Sequence, residues 1–233
     1  MSLHGRRIVA IIPALNEEAS IGKVIADLPP IVDAVIVGNN GSTDATADVA
    51  RQAGAIVVDE PERGYGAACL RALEKAQTLS PDVILFIDGD HSDDPREASL
   101  VLEPVCSGAF DLCIGSRVLG EREPGSLTPQ QIFGNWLSTR LIALFWTTSF
   151  SDLGPFRAIT WEALQRMQMQ DRNYGWTVEM QIKAAQLMMR CTEVPVSYRR
   201  RIGISKVSGT VKGSVMAGVI ILSTIFRSVA RGK

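Results

Sequence analysis

The sequence lacks the features of a zinc protein and of a nucleic-acid-binding protein. Its four cysteines form no CxxC pair, and its two histidines form no cluster with zinc-ligand spacing. Its 24 basic and 25 acidic residues leave a formal net charge of −1. That balance argues against binding nucleic acid over a whole basic surface. We therefore expect a reduced, cytoplasmic protein with no nucleic-acid partner.

Long apolar runs and a secretory signal are also absent. The first apolar run ends at Pro13 and leads into Glu17 and Glu18, so it lacks the length and cleavage site of a signal peptide. Residues 213–226 form an uncharged stretch of 14 residues, which is shorter than the roughly 20 residues that span a bilayer. With 46% hydrophobic and 21% charged residues, the chain has the composition of one folded domain with a sizeable core.

Charge is unevenly distributed along the chain. Residues 194–233 contain eight Lys or Arg residues and no acidic residue, whereas residues 1–193 contain 16 basic and 25 acidic residues. A basic segment attached to an acidic body is expected to face an anionic partner. We expect a globular domain over residues 1–206, followed by a basic amphipathic helix over residues 207–233. That helix lies on a membrane surface or packs on the domain.

Short β-branched runs alternate with segments of helical periodicity in the first half of the chain. The pattern predicts strands at 7–12, 34–38, 55–59, 83–88 and 111–115, with helices at 19–28, 43–53, 66–79 and 96–105. Continuous apolar strands are typical of a sheet that helices cover on both faces. The prediction is an α/β fold with a largely parallel central sheet, whose ligands gather at the carboxyl ends of the strands.

The second half of the chain contains an apolar segment at helical spacing. Residues 130–150 include two tryptophans, Trp136 and Trp146, and Arg140 is their only charged residue. One interpretation is a core helix. The other is an interfacial helix, because tryptophan on an apolar helix suits the boundary between water and lipid.

Asp88, Gly89 and Asp90 directly follow the apolar run VILFI. Two carboxylates at the end of a buried strand present hard oxygen ligands at the rim of the sheet. Such ligands suit Mg²⁺ or Mn²⁺, which keep coordination positions open for phosphate oxygens. Asp88 and Asp90 are therefore the candidate metal ligands, and the polar residues 91–94 are interpreted as turn or helix-cap residues.

Turn-forming segments follow other predicted strands. NNGSTD at 39–44 supplies turn formers and capping side chains, and RGYG at 63–66 places a cation beside two glycines. Both suit the lining of a nucleotide site. Neither is the GxGxxG fingerprint or the GxxxxGK[ST] phosphate loop, which argues against a dinucleotide-binding enzyme and a P-loop nucleotidase.

PALNEE, NNGSTDAT, RGYGAA, DGDHSDDP, GSR and DLGPFRAI occur in this order within residues 7–206. Together they resemble glycosyltransferase family 2, whose catalytic domain has the nucleotide-sugar-binding GT-A fold. Within it, DLGPFRAI, WTVEM and VPVSYRRRIGISK are most similar to the polyprenyl-phosphate sugar transferases of the dolichyl-phosphate mannose or glucose synthase type. The resemblance implies an inverting, metal-dependent transfer of a hexose from a UDP- or GDP-sugar to a polyprenyl phosphate.

The resemblance also implies roles for individual residues. The residues that it places around the donor and its metal are Pro13, Ala14, Asn16, Glu17, Asn39, Asn40, Gly64, Asp88, Gly89 and Asp90. Asn39 and Asn40 stand where the family usually has one or two aspartates, which leaves the choice between uracil and guanine open. Ser92 stands where related sequences often have Gln, and Arg117 matches a basic residue near the phosphates.

The acceptor decides which further groups are needed. A lipid phosphate is already anionic near neutral pH, because its second pKa is roughly 6. It needs positioning cations, for which Arg200, Arg201 and Lys206 match the family pattern. A hydroxyl acceptor needs a carboxylate base instead, for which Asp152 or Glu179 is the candidate. The residues predicted to carry catalysis are Asp90, Arg117, Asp152, Arg200 and Lys206.

Three interpretations remain open at this point. The first is transfer to a polyprenyl phosphate by a protein bound peripherally to an anionic membrane at its cytoplasmic face. The second is transfer to a soluble or polysaccharide hydroxyl with Asp152 as the base. The third is a noncatalytic, membrane-associated nucleotide-binding module. Apolar helices that are not buried in a membrane would instead suit a homo-oligomer.

Overall fold

One central sheet organises the fold. The computed structural model describes residues 3–146, 148–203 and 211–231. The strands are β1 (Ile8–Ala14), β2 (Ala34–Asn39), β3 (Ile56–Asp59), β4 (Val83–Phe86), β5 (Leu112–Ser116), β6 (Arg157–Thr160) and β7 (Cys191–Pro195). The α-helices are α1 (Ile21–Asp27), α2 (Thr46–Gln52), α3 (Tyr65–Gln77), α4 (Ala98–Cys106), α5 (Pro129–Phe145), α6 (Trp161–Met167), α7 (Trp176–Gln186) and α8 (Val211–Arg231).

The sheet has the strand order β3-β2-β1-β4-β6-β5-β7. β6 runs antiparallel to its neighbours β4 and β5, and the other adjacent pairs are parallel. The predicted α/β class and largely parallel sheet are confirmed. All five predicted strands are present, with ends shifted by one or two residues. The sequence pattern did not predict β6, β7, α6 or α7.

Both faces of the sheet are buried, as the continuous apolar strands predicted. In β1, Val9 and Ile11 point into one core with α3, α5, α7 and α8, whereas Ile8, Ala10 and Ile12 point into the other. These five side chains have no exposed surface. An alternating strand with both faces buried is the arrangement expected of a parallel sheet between helical layers.

A capping box defines the start of α5. The Thr128 hydroxyl accepts a hydrogen bond from the Gln131 amide (3.3 Å), and the Gln131 side chain accepts one from the Thr128 amide (2.9 Å). Pro129 occupies the first turn, where its missing N–H costs nothing because that group has no partner within the helix. The helix therefore begins at a sharply defined residue beside the ends of the strands.

α5 and α8 pack against each other on the sheet, and α8 also contacts α7. Ile142 of α5 and Ile225 of α8 are fully buried there, so one face of each helix packs in the core, and the interfacial role of the other face stays a prediction. The exposed apolar side chains on these helices are Ile132, Phe133, Trp136, Leu144, Phe145, Met216, Val219 and Phe226. No helix in the described ranges is both long and apolar enough to cross a membrane.

Candidate active site

Two carboxylates lie at the carboxyl end of β4, as the motif predicted. Asp88 accepts a hydrogen bond from the Tyr65 hydroxyl (2.8 Å). Asp90 accepts two from Ser92, through its amide (2.9 Å) and its hydroxyl (2.6 Å). Burial, and then the nearby charge of Asp90, raise the pKa of Asp88 to about 7. The pair concentrates negative charge at one point on the rim of the sheet.

The donor set fits a nucleotide-bound Mg²⁺ or Mn²⁺. Two carboxylates occupy part of the coordination shell of such an ion and leave the rest to water and phosphate oxygens. Across the described residues, no group of three or more His, Cys, Asp or Glu side chains forms a complete metal site. Ser92, at the position where related sequences often have Gln, orients Asp90 by its two hydrogen bonds.

A cavity of about 370 Å³ adjoins these carboxylates at the ends of β1 and β2. The predicted donor residues on its wall are Pro13, Ala14, Glu17, Asn40, Gly64, Asp88, Gly89 and Asp90. Asn16 and Asn39 lie beside the cavity and hold the turn that follows β2. Their side-chain oxygens accept hydrogen bonds from the amides of Thr43 (2.8 Å) and Ser42 (3.2 Å).

The Asn40 amide group fixes the loop between β3 and α3. Its nitrogen donates to the carbonyl oxygens of Glu60 (3.3 Å) and Glu62 (2.6 Å), and its oxygen accepts from the Gly64 amide (2.8 Å). An aspartate could not donate to either carbonyl. The departure from the usual family aspartate at this position therefore has a structural consequence, since the amide holds one wall of the cavity in place.

The glycines of RGYG allow two loops to meet at the start of α3. A Cβ on Gly64 or Gly66 would overlap the carbonyl oxygens of Arg172 and Asp171, and Gly64 has a positive φ of 154°. The Gly66 amide donates to the Asn173 carbonyl (3.1 Å). Glycine is required at both positions because the backbones approach too closely for a side chain.

A second cavity of about 300 Å³ opens on the other side of the two carboxylates. Both cavities are lined by Tyr65, Asp88, Asp90, Tyr174 and Arg201. The second cavity extends between α5 and α8. The other residues of its wall are Arg117, Leu127, Gln130, Gln131, Gly134, Asn135, Leu153, Pro155, Trp176, Thr177, Tyr198, Gly218 and Ile221.

Arg117 enters the second cavity as part of a buried ion pair. Its Nε and Nη2 donate to the two carboxylate oxygens of Asp152 (2.8 and 2.7 Å), and its guanidinium lies 5.0 Å from the centre of the Tyr198 ring. Burial opposes ionisation of Asp152, but Arg117 outweighs it and lowers the pKa of that carboxyl. Asp152 is 1% exposed and its carboxylate is oriented towards Arg117.

Neighbouring arginines of the C-terminal segment have different positions. Arg201 lies on the wall of both cavities and pairs with Glu17 (Nη2 to Oε1, 2.8 Å) and with Asp90 (Nη1 to Oδ2, 3.2 Å). Arg200 donates to the Pro124 carbonyl (2.9 and 2.7 Å) and lies outside both cavity walls. Lys206 lies outside the described residues. The structure therefore brings Arg201 into the site and leaves Arg200 beside it.

The other candidate residues are also placed by the structure. Glu179 accepts hydrogen bonds from the amides of Gln170 (3.1 Å) and Asp171 (2.8 Å) and is absent from both cavity walls. Arg157 is fully buried and donates to the carbonyls of Leu153 and Thr177 (3.1 Å each). These bonds join the segment at Leu153 to the start of α7.

Sequence reasoning assigned no role to several aromatic residues of the site. Tyr174 and Trp176 line the second cavity, and Tyr65 holds Asp88. The position of Tyr65 inside the RGYG motif was the sequence feature that could have indicated its role in the site. Asp93, interpreted as a turn residue, is 1% exposed, and its carboxylate has no hydrogen-bond partner among the described residues. Burial raises the pKa of Asp93 well above its usual range.

Comparison with known proteins identifies the family. The sequence model of Glycosyl transferase family 2 matches residues 9–190. The chain belongs to glycosyltransferase family 2. An uncharacterized glycosyltransferase from Mycobacterium tuberculosis is 36% identical over 217 residues, which cover 91% of this chain and 95% of that protein. A dolichyl-phosphate hexose transferase from Haloferax volcanii is 28% identical over 218 residues, which cover 92% of each chain.

Solved structures of glycosyltransferases share the fold. Glucosyl-3-phosphoglycerate synthase from Mycobacterium tuberculosis, in complex with Mn²⁺, uridine-diphosphate-glucose and phosphoglyceric acid, superposes with a TM-score of 0.77. The alignment covers 98% of this glycosyltransferase and 81% of that chain at 23% sequence identity. The predicted GT-A fold is confirmed, and at that identity the likeness carries the fold alone.

Proposed function

We propose that this glycosyltransferase moves a hexose from a nucleotide diphosphate sugar to a polyprenyl phosphate, with inversion at the anomeric carbon. The observation that carries the proposal is the second cavity. It places Arg117 and Arg201 beside the DGD carboxylates and continues between the apolar helices α5 and α8. A site for a phosphate joined to a hydrocarbon needs cations at one end and apolar walls at the other. The likeness to a dolichyl-phosphate hexose transferase supports this acceptor class.

The first cavity suits the donor. Asp88 and Asp90 would hold a divalent cation, which offsets the charge that develops on the leaving diphosphate. Arg201 is positioned to donate to the diphosphate, because it already contacts Asp90 and Glu17 at the junction of the two cavities. The loop fixed by Asn40 and the segment that contains Tyr174 form part of the wall of this cavity.

The second cavity suits a nucleophile that is already charged. An oxygen of the lipid phosphate attacks the anomeric carbon, the bond from that carbon to the diphosphate breaks, and the nucleoside diphosphate leaves with the bonding electrons. Because the phosphate ionises with a second pKa of roughly 6, no side chain has to remove a proton at neutral pH. Arg117 and Arg201 orient the phosphate, and Asp152 holds the Arg117 guanidinium in position.

A hydroxyl acceptor is the second candidate. It is favoured by glucosyl-3-phosphoglycerate synthase, a protein of similar fold whose structure contains phosphoglyceric acid. In that mechanism Asp152 is the base, and its pairing with Arg117 would have to open. Asp152→Asn should therefore nearly abolish transfer to a hydroxyl. Its effect on transfer to a phosphate should come through the position of Arg117.

A transfer assay with organic extraction tests the proposal. Purified protein is incubated with Mn²⁺ or Mg²⁺, a panel of radiolabelled UDP- and GDP-hexoses and a polyprenyl phosphate. We expect label from one donor in the organic phase, its loss on chelation and its return when metal is added back. Asp88→Asn and Asp90→Asn are the inactive controls, since each removes one ligand charge. Label that enters only water-soluble products contradicts the lipid acceptor.

A further inference from the structure

Two glycines of the second cavity have no structural explanation within the described residues. Gly134 lies in α5 and Gly218 in α8, and both line the cavity. A Cβ at either position would meet no described atom within 4 Å, and neither residue has a positive φ. Elsewhere in the chain, Gly64 and Gly66 are required by close backbone contacts. Among the described residues, neither close packing nor backbone conformation requires glycine at these two positions.

Glycine is also an unfavourable residue for the interior of a helix. It gives the unfolded chain more freedom than alanine does and offers no side chain to pack, so alanine stabilises such positions when space allows. Space is available at both positions, and both residues are half-buried rather than fully exposed. What the two glycines provide is therefore room between α5 and α8 on the wall of the cavity.

The room lies on the wall of a cavity with a charged end, between two helices that carry exposed apolar side chains. Arg117 and Arg201 lie at the charged end. The two helices that border the room also carry exposed apolar side chains, among them Phe133 of α5 and Val219 of α8, each 60% exposed. An occupant of the cavity thus meets the two arginines and also apolar side chains such as Leu153, Trp176 and Ile221, which matches an anionic head group joined to a hydrocarbon chain.

We infer that Gly134 and Gly218 form the passage by which the hydrocarbon chain of the lipid phosphate leaves the active site between α5 and α8. The inference rests on the proposed function, since it takes the acceptor to be a prenyl phosphate. It adds that acceptor selection depends on the absence of side chains at these two positions. A chain that follows this passage reaches the surface at the exposed apolar faces of the two helices.

Filling the passage tests the inference. Gly134→Leu and Gly218→Leu should raise the KM for a long-chain polyprenyl phosphate about tenfold, which corresponds to about 1.4 kcal/mol. The Kd for the nucleoside diphosphate with Mn²⁺, measured by calorimetry, should stay close to the wild-type value because the glycines lie outside the donor cavity. Ala143→Leu, at an exposed position of α5, adds a leucine away from the passage and should leave both constants unchanged.

A labelling experiment keeps the inference testable if a leucine variant fails to fold. Wild-type protein is irradiated with a prenyl phosphate that carries a diazirine on its chain, and the labelled peptides are sequenced. Label in α5 and α8 is expected, and label confined to other elements overturns the passage. Unchanged acceptor KM in well-folded leucine variants also overturns it while the proposed function stands. If the wild-type protein transfers sugar only to soluble acceptors, both the proposed function and this inference are wrong.

Discussion

At the scale of single residues, the site depends on which of two adjacent arginines faces inward. Arg200 and Arg201 follow each other in one basic run, and only Arg201 reaches the carboxylates. Backbone hydrogen bonds set the direction in which each arginine side chain points. They run from the Arg199 amide to the Ser92 carbonyl (2.8 Å) and from the Ile202 amide to the Asp90 carbonyl (2.9 Å). These bonds join segments that are far apart in sequence, so the motif alone could not distinguish the two arginines.

We predict that Arg201→Gln weakens donor binding and that Arg200→Gln does not. A hydrogen bond to a charged group contributes about 1.5–3 kcal/mol, so the Kd for the nucleoside diphosphate should rise roughly 10- to 100-fold in the first variant. Calorimetric titration in the presence of Mn²⁺ measures it. Arg200→Gln removes the same charge from the next residue and is the matched control. An equal rise in this Kd in the two variants would contradict the placement of Arg201 alone in the site.

At the scale of elements, two asparagine side chains hold the loops that form the two cavities. Asn40, after the end of β2, holds the loop before α3 at the first cavity. Asn135, in α5, donates to the Ser151 carbonyl (3.1 Å) and accepts from the Leu153 amide (2.8 Å) at the second cavity. Each amide donates and accepts at once, which a carboxylate at neutral pH cannot do.

We predict that Asn40→Asp disturbs the first cavity without affecting the second. The new carboxylate would face the Glu60 and Glu62 carbonyls without a proton to donate, which costs about 1–3 kcal/mol. The Kd for the nucleoside diphosphate should rise, and the free energy of unfolding by urea should fall. Asn135→Asp is the matched control, because it removes the bond that this side chain donates to the Ser151 carbonyl at the other cavity. It should lower stability and leave the donor Kd near its wild-type value.

The elements that sequence predicted are those with a continuous apolar signal. β1 to β5 are apolar runs bounded by turn residues, and the DGD carboxylates were located by the rule that ligands gather at strand ends. β6 has four residues and begins with Arg157, and β7 is an edge strand that contains Glu193 and Pro195. These short, mixed segments become strands because neighbours distant in sequence supply their hydrogen bonds. The Arg117–Asp152 ion pair also joins residues that are distant in sequence, so the sequence pattern could not predict it.

At the scale of the whole molecule, α5 and α8 both line the second cavity and carry exposed apolar side chains. α8 packs against α5 and α7 with Ile225 fully buried, so removing residues 207–233 would open the core as well as remove basic residues. The division into a domain and a basic C-terminal helix stays a proposal. The exposed apolar surface of α5 and α8 suits contact with a membrane that contains the acceptor, with basic residues such as Arg227 attracted to anionic lipid.

We predict that this surface binds anionic vesicles. Phe133 and Trp136 are 60% and 52% exposed, and burying a side chain of this size in lipid is worth about 1.5–3 kcal/mol, so replacing both with Ser should lower vesicle affinity more than tenfold. Co-sedimentation with anionic and neutral vesicles measures it. Met188, which is 88% exposed and lies outside α5 and α8, provides the control variant Met188→Ser. Since added salt screens only the electrostatic part of the attraction, binding should weaken with salt without vanishing. Vesicle binding that the double substitution leaves intact would place the membrane contact on another surface.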